Sequence, residues 1–196
     1  MRNPEQTKAT ILKESANLFN TKGYKATSLS DITQATGLTK GAIYKHFNNK
    51  EDLEQQALRS LGRTMLDLLG KEIKLAKNYE SKMEVVFTFF ENYLLNPPYQ
   101  GGCPLMNSAV ESDDTNPVLR QQSFGMLVNL KSSLRRVFEN AKRRNQIKSD
   151  TDIEQMVYVF IATLEGGIMM SKLERNNDAI SNCIAYLKEI NKGLMI

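Results

Sequence analysis

The chain has 196 residues, of which 41% are hydrophobic and 24% charged, with two cysteines and one histidine. This composition is ordinary for a folded globular protein and argues against disorder, a disulfide framework and a His/Cys zinc site. Residues 1–50 contain 8 Lys and Arg against 3 Asp and Glu, whereas the rest contains 18 against 19. A basic segment of this kind suits binding to nucleic acid phosphates.

Residues 28–47 have the pattern of two short helices joined by a glycine turn. Ser28 and Asp31 fit a capping box at the start of the first helix. Gly37 stands where a left-handed residue would end that helix, and Thr39 is a natural N-cap for the second. The segment therefore predicts a helix-turn-helix, whose second helix enters the DNA major groove.

The second of these helices has two different faces. Lys40 and Tyr44 are four residues apart and share one face, whereas Ile43 and Phe47 share another. We predict that the first face contacts DNA and the second packs into the domain.

The rest of the chain is helical in pattern, and no run alternates as a strand would. We predict helices over about 50–77, 81–95, 104–112, 117–144, 151–175 and 178–192. Asn49 with Asp52 and Thr151 with Glu154 supply the caps of the first and fifth of these. The predicted fold class is all-α.

One of these helices contains an apolar run, Met156–Met170. The run is shorter than the roughly 18 to 20 residues that span a bilayer, so we predict a covered helix and no membrane. It is either the central core helix of one subunit or part of a two-fold interface with a second copy, in which Gly166 and Gly167 allow close packing.

The densest motif of the chain lies in residues 11–53. It comprises Ile11-Leu12, Ala16, Leu18-Phe19, Gly23-Tyr24, Thr27-Ser28, Asp31-Ile32, Gly37-Leu38, Lys40-Gly41-Ala42-Ile43-Tyr44, His46-Phe47 and Lys50-Glu51-Asp52-Leu53. This segment resembles the DNA-binding domain of the tetracycline-repressor (TetR) family. The resemblance implies an N-terminal three-helix DNA-binding domain at 4–50, with the helix-turn-helix at about 28–47. It also implies a C-terminal helical domain at 51–196 for effector binding and dimerisation, with dimer helices at about 152–192.

The resemblance also implies roles for individual residues. The positions of Lys40, Gly41 and Ala42 face bases in that family, and the flanking positions hold the DNA backbone. The predicted DNA-binding residues are Thr27, Ser28, Thr39, Lys40, Gly41, Ala42, Tyr44, Lys45, His46 and Lys50. Because Gly41 and Ala42 are small, we expect base readout to depend on Lys40 and on DNA shape.

A second resemblance concerns residues 101–109, Gly-Gly-Cys-Pro-Leu-Met-Asn-Ser-Ala. They are similar to a motif in one branch of the family, where a Gly-Cys step opens the helix that faces the ligand cavity. The predicted ligand-binding residues are Phe87, Phe90, Cys103, Met106, Leu127 and Tyr158, a set that suits an apolar or aromatic compound. The alternative is that these are plain core residues.

Cys103 allows a different sensing chemistry, because a thiol at a helix N-terminus can become a reactive thiolate. A structural cysteine is the simpler interpretation. Enzymatic activity is not predicted, since the only histidine, His46, lies in the DNA-binding segment and cannot serve as a base for Cys103. The carboxylates Glu111, Asp113 and Asp114 are interpreted as a solvated turn and helix cap.

The sequence thus predicts a cytoplasmic, sequence-specific transcriptional regulator without metal, cofactor or enzymatic activity. We expect a homodimeric repressor that leaves a near-palindromic operator in double-stranded DNA when a small apolar or electrophilic effector binds. The alternatives are a redox or electrophile sensor acting through Cys103 and a DNA-binding protein that responds to no ligand.

Overall fold

A computed structural model describes residues 3–114 and 116–196. The helices in this part of the chain are α1 (Pro4–Lys22), α2 (Leu29–Thr36), α3 (Lys40–Tyr44), α4 (Lys50–Leu75), α5 (Tyr79–Glu91), α6 (Pro104–Ser112), α7 (Pro117–Arg143), α8 (Ile153–Glu174) and α9 (Asp178–Leu194). Ile147 and Met195 form an isolated β-bridge, and the described residues contain no longer strand. The predicted all-α fold is confirmed.

Two predicted helix starts are wrong, and the caps explain both. Helix α5 begins at Tyr79, since the Asn78 side chain accepts a hydrogen bond from the backbone N–H of Ser81 at 2.9 Å. Helix α8 begins after Asp152, whose carboxylate accepts from the backbone N–H of Gln155 at 3.0 Å. Asp152 is therefore the N-cap in place of the predicted Thr151, whose buried hydroxyl has no hydrogen-bond partner.

Helix α8 extends beyond the apolar run Met156–Met170 at both ends, as the predicted helix did. Its 22 residues are long and apolar enough to cross a membrane by length and composition, so the predicted shortfall in length is wrong. The core helix of a soluble protein meets the same criterion. The side chains of Val157, Phe160 and Leu164 are buried on one side of the helix.

The described residues pack into two compact units. The first contains residues up to 64 together with 99–126, and the second contains 65–98 together with 127–196. Residues 99–126 thus pack with the predicted DNA-binding segment, a grouping that the sequence did not reveal. The functional boundary near residue 50 stays a prediction.

An apolar core holds α1, α2 and α3 together in the first unit. Ile11, Phe19, Ile32 and Ile43 are fully buried, and the Phe19 ring stacks on that of Tyr24 with 5.1 Å between centroids. Burial of side chains this size is the main source of the stability of such a small helical domain.

Helix α6 is hydrogen-bonded to the turn between α1 and α2 in the first unit. The Glu111 carboxylate accepts hydrogen bonds from the backbone N–H groups of Tyr24 at 2.8 Å and of Lys25 at 2.6 Å. The expectation that Glu111 belongs to a solvated turn is therefore wrong. Its carboxylate satisfies two backbone donors of a turn that is distant in sequence.

Two asparagines add to this contact. The Asn20 side chain donates to the carbonyl oxygens of Gln100 at 2.5 Å and Gly102 at 2.9 Å. The Asn107 side-chain nitrogen lies 3.0 Å from both the Asn20 side-chain oxygen and the Gly101 carbonyl oxygen. We call the contacts of Glu111, Asn20 and Asn107 the α6 clamp.

Gly101 is required by the α6 clamp. Its φ is +97°, and a Cβ atom there would lie 2.2 Å from the Asn20 carbonyl oxygen. We expect Gly101→Ala to lower the free energy of unfolding by about 2–4 kcal/mol, because it adds both backbone strain and overlap with another backbone. Chemical denaturation measures the change.

The matched control is Gly125→Ala in α7, where a new Cβ would meet no heavy atom within 4 Å. Alanine in a helix should leave stability unchanged or raise it by up to about 1 kcal/mol. Equal effects of the two substitutions would contradict the close approach at Gly101.

Glu111→Gln tests the carboxylate of the α6 clamp. An amide offers one acceptor oxygen in place of two, so one of the two turn N–H groups loses its partner. We expect a loss of about 1 kcal/mol in the free energy of unfolding and faster amide hydrogen exchange at Tyr24 and Lys25. Asp114→Asn, the same chemical change at an exposed neighbouring position, should leave exchange at both amides unaltered.

Candidate nucleic-acid interface

The start of α2 is fixed by a reciprocal cap. The Ser28 hydroxyl accepts from the backbone N–H of Asp31 at 3.1 Å, and the Asp31 carboxylate accepts from that of Ser28 at 2.8 Å. The predicted capping box is confirmed. Hydrogen bonds from Lys22, at 2.7 Å, and Ser28 hold the pKa of Asp31 well below its usual range. The carboxylate therefore stays ionised at the positive end of α2.

The turn and the start of α3 also follow the prediction. Gly37 adopts a left-handed conformation with φ of 66° and ends α2. The Thr39 hydroxyl accepts from the backbone N–H of Ala42 at 3.2 Å and caps α3. Helix α3 is short, with five residues, since Lys45 and His46 already form a turn.

The two faces of α3 separate as predicted. Ile43 is fully buried and Phe47 is 2% exposed, which confirms the inward face. Lys40, Gly41 and Lys45 are exposed, and Tyr44 is 46% exposed. A side chain at Gly41 would meet no heavy atom within 4 Å, so the surface there is open to another molecule.

Four predicted DNA-binding residues have internal roles as well. The buried Thr27 hydroxyl donates to the Gly23 carbonyl oxygen at 2.7 Å. The Lys50 ammonium donates to the Tyr24 carbonyl oxygen at 2.8 Å and lies 3.1 Å from the Glu54 carboxylate. The side-chain oxygens of Ser28 and Thr39 cap helices, as described above. For these residues, and for the half-buried Ala42 and His46, contact with DNA stays a prediction.

Two side chains cap the start of α4. The Asn49 side-chain oxygen accepts from the backbone N–H of Asp52 at 2.7 Å, and the Asp52 carboxylate accepts from that of Asn48 at 3.0 Å. The hydrogen bond from Asn48, and one from Gln56, lower the pKa of Asp52. The predicted cap at Asn49 is confirmed.

The predicted ligand-binding residues are divided between the two units. Cys103 and Met106 belong to the first unit, where Cys103 is the N-cap residue of α6 and is 4% exposed. An oxidant or electrophile would have to reach a buried thiol. A role for Cys103 as a sensor stays a prediction.

The other four lie in the second unit, in different surroundings. Phe87 and Phe90 are buried, and the Phe87 ring stacks on Phe160 with 6.1 Å between centroids. Leu127 is half-buried. Tyr158 is 59% exposed, and its hydroxyl accepts from the Lys131 ammonium at 2.7 Å. That these residues bind one ligand stays a prediction.

The second unit contains two spaces of different size. An enclosed, apolar cavity of about 40 Å³ lies among side chains of α4, α5, α7 and α8, and Phe90 lines it. A groove of about 770 Å³ is lined by residues of α4, α5 and the segment that follows α5. Ligand pockets commonly measure about 300–1,000 Å³. Of these two spaces, only the groove is that large.

Sequence reasoning missed the residues of the α6 clamp and of the groove. Asn20 and Glu111 are far apart in sequence, and no short motif joins them. The glycine pair at 101 and 102 was a usable signal for an unusual backbone conformation, and both residues adopt positive φ. The sequence did not show that Gly101 approaches the backbone of Asn20.

Comparison with known proteins agrees with this fold. Residues 11–57 match the family described as "Bacterial regulatory proteins, tetR family". Residues 80–187 match the family described as "Tetracyclin repressor-like, C-terminal domain". The two matches together cover most of the chain.

Individual relatives are regulators. The chain is 28% identical over 171 residues to the probable HTH-type transcriptional regulator ArpR of Pseudomonas putida, covering 83% of this chain and 78% of that protein. It is 21% identical over 187 residues to the HTH-type transcriptional repressor DhaR of a Mycobacterium species, covering 91% and 89% of the two.

Solved structures have the same fold along the whole chain. A TetR transcriptional regulator from Chloroflexus aurantiacus superposes with a TM-score of 0.93 at 30% identity, covering 100% of this chain and 98% of that one. A TetR family regulator from Cytophaga hutchinsonii gives 0.89 at 26% identity, with the same coverage. The matched families, the relatives and the exposed α3 face agree: this chain is a DNA-binding transcriptional regulator that belongs to the TetR family.

Proposed function

We propose that this regulator is a cytoplasmic homodimeric repressor that binds a near-palindromic operator and leaves it when a small effector binds the second unit. The observation that carries the proposal is α3, which buries Ile43 and exposes Lys40, Gly41, Tyr44 and Lys45 on one open surface. An exposed basic helix of this kind can enter the major groove while its buried side fixes its orientation.

Within that surface, Lys40 is the residue best suited to read bases. It is the first residue of α3 and is exposed, and lysine can donate to the acceptors that guanine presents in the major groove. Gly41 lets the backbone come close to the groove. Tyr44 and Lys45 offer donors to phosphates, which fix register without reading sequence.

Dimerisation is supported by an apolar surface on α8. Val159, Ala162, Gly166, Met169 and Leu173 recur at helical spacing and are half-buried or exposed. Leu173 is 77% exposed, and Tyr186 on α9 is 60% exposed. A second copy that packs on this surface would bury it by a two-fold contact. Two α3 helices would then face two half-sites.

The α8 and α9 helices are already packed together within one chain. A Cβ atom at Gly167 would lie 2.8 Å from the Ile180 side chain, so this glycine serves the contact between α8 and α9. The neighbouring Gly166 has no heavy atom within 4 Å of that position and lies on the surface available to a second copy.

Repression is supported by the DhaR relative, which is named a repressor. Response to an effector requires a ligand that binds two arrangements of the protein unequally. A DNA-binding protein without a ligand would show no compound-dependent release. A specific regulator should prefer one palindromic site over random DNA by roughly 10³-fold or more.

Lys40→Ala tests the DNA interface, using an operator selected from random DNA. We expect a loss of about 1–3 kcal/mol in binding free energy, with relaxed preference at one base position of each half-site. Competition binding against single-base operator variants measures both. Lys77→Ala, at an exposed position of the second unit, is the control and should bind as the unchanged protein does. A loss that is equal for every DNA sequence would mean that Lys40 contacts phosphate only.

Leu173→Glu tests the dimer surface. A charge placed within an apolar contact should raise the dimer dissociation constant by about tenfold or more, as measured by analytical ultracentrifugation. Leu75→Glu is a matched control, because Leu75 is 75% exposed at the end of α4 against 77% for Leu173. If both variants associate equally well, the two-fold contact lies elsewhere.

A further inference from the structure

We infer that the groove on α4 and α5 is the effector site and that its ligand is an amphipathic organic cation. The inference rests on the proposed function, which assigns an effector to the second unit without naming its place or chemistry. Size is the first reason. The groove offers about 770 Å³, whereas the enclosed cavity of about 40 Å³ has room for one or two waters at most.

The floor of the groove is apolar and partly aromatic. Leu68, Leu69, Val85 and Phe89 line it, and Leu68 is 43% exposed. The Phe89 ring packs edge-on against Tyr93, another lining residue, with 5.8 Å between centroids. Exposed apolar surface in a concave site gains free energy when a ligand covers it.

The polar residues of the groove favour positive charge. Its described lining residues include the carboxylates of Glu72, Glu80 and Glu84 and no Lys or Arg. Lys188 lies 2.9 Å from Glu84 and offsets that charge. Lys82 is directed to the end of α4, where its ammonium donates to the carbonyl oxygens of Ile73 at 2.7 Å and Ala76 at 2.8 Å.

Two carboxylates, Glu72 and Glu80, thus add negative charge to a groove that is also lined by the half-buried Phe89 ring. Aromatic faces attract organic cations, and carboxylates add to the attraction. An anion of the same shape would meet repulsion from the carboxylates and no attraction from the rings. The chemistry of the groove therefore selects a ligand with both a hydrophobic body and a delocalised or quaternary positive charge.

The test uses two probes of equal shape and opposite charge. Tetraphenylphosphonium and tetraphenylborate are titrated separately into the full-length protein by isothermal calorimetry. We expect one phosphonium ion per chain and at least about tenfold weaker binding of the borate. Equal binding of the two ions, or no binding of the phosphonium, would overturn the inference.

Variants then locate the site. Glu72→Gln with Glu80→Gln should weaken phosphonium binding about tenfold. Glu174→Gln with Glu189→Gln makes the same charge change at exposed positions outside the groove and should leave binding unaltered. Val137→Leu, which fills the enclosed cavity, should also bind the phosphonium normally. If Val137→Leu abolishes binding and the groove variant retains it, the site is the enclosed cavity.

Operator binding is measured on the same samples without a probe. All these variants should retain it, since none changes the first unit or the residues of the proposed dimer surface on α8. Absence of sequence-specific DNA binding in every sample would contradict the proposed function, whereas normal DNA binding without a phosphonium site would contradict only the assignment of the groove. We expect the phosphonium to release the unchanged protein from its operator and to have no such effect on the variant with Glu72→Gln and Glu80→Gln.

Discussion

The turn between α1 and α2 depends on side chains that come from distant parts of the chain. Glu111 of α6 accepts from its two backbone N–H groups, and Lys50 of α4 donates to the Tyr24 carbonyl oxygen. Because both N–H groups and the carbonyl oxygen of this turn have hydrogen-bond partners, a change in its backbone conformation would leave these polar groups without partners. Since α2 follows this turn and α3 packs on α2, these charge-assisted hydrogen bonds act together with the apolar core in positioning the exposed face of α3, which is proposed to contact DNA.

The local part of this arrangement could be predicted from the sequence. The caps at Ser28, Thr39 and Asn49 join groups no more than three residues apart, so spacing alone determines which atoms meet. At the start of α8 the neighbouring residues Thr151 and Asp152 are both possible N-caps. The spacing to Glu154 favoured Thr151, whereas Asp152 is the N-cap. The two Glu111 hydrogen bonds of the α6 clamp join groups 86 and 87 residues apart, and only the folded chain determines that contact.

The ligand site was harder to predict from the sequence, because it too depends on how distant residues pack. Phe87 and Phe90 were predicted either to bind a ligand or to belong to the core, and both are buried. Periodicity does not show whether the space between buried rings is empty. Here the rings pack on one another, as Phe87 does on Phe160, while the groove is lined by other residues of α5, among them Val85 and Phe89. The size of the groove depends on how the side chains around it pack, and a sequence pattern carries little information about that packing.

Helix α4 contributes residues to both units, so under the proposed function it would connect the effector groove with the α1–α2 turn. Its residues Leu68, Leu69 and Glu72 line the groove, and its first residue, Lys50, holds the α1–α2 turn. A ligand that prefers one position of α4 by a hundredfold supplies about 2.7 kcal/mol. Breaking one charge-assisted hydrogen bond such as that from Lys50 to Tyr24 costs about 1.5–3 kcal/mol. If the proposed effector has such a preference, its free energy is comparable with that of the hydrogen bond from Lys50 to the turn, whereas disrupting the buried core of the first unit would require far more.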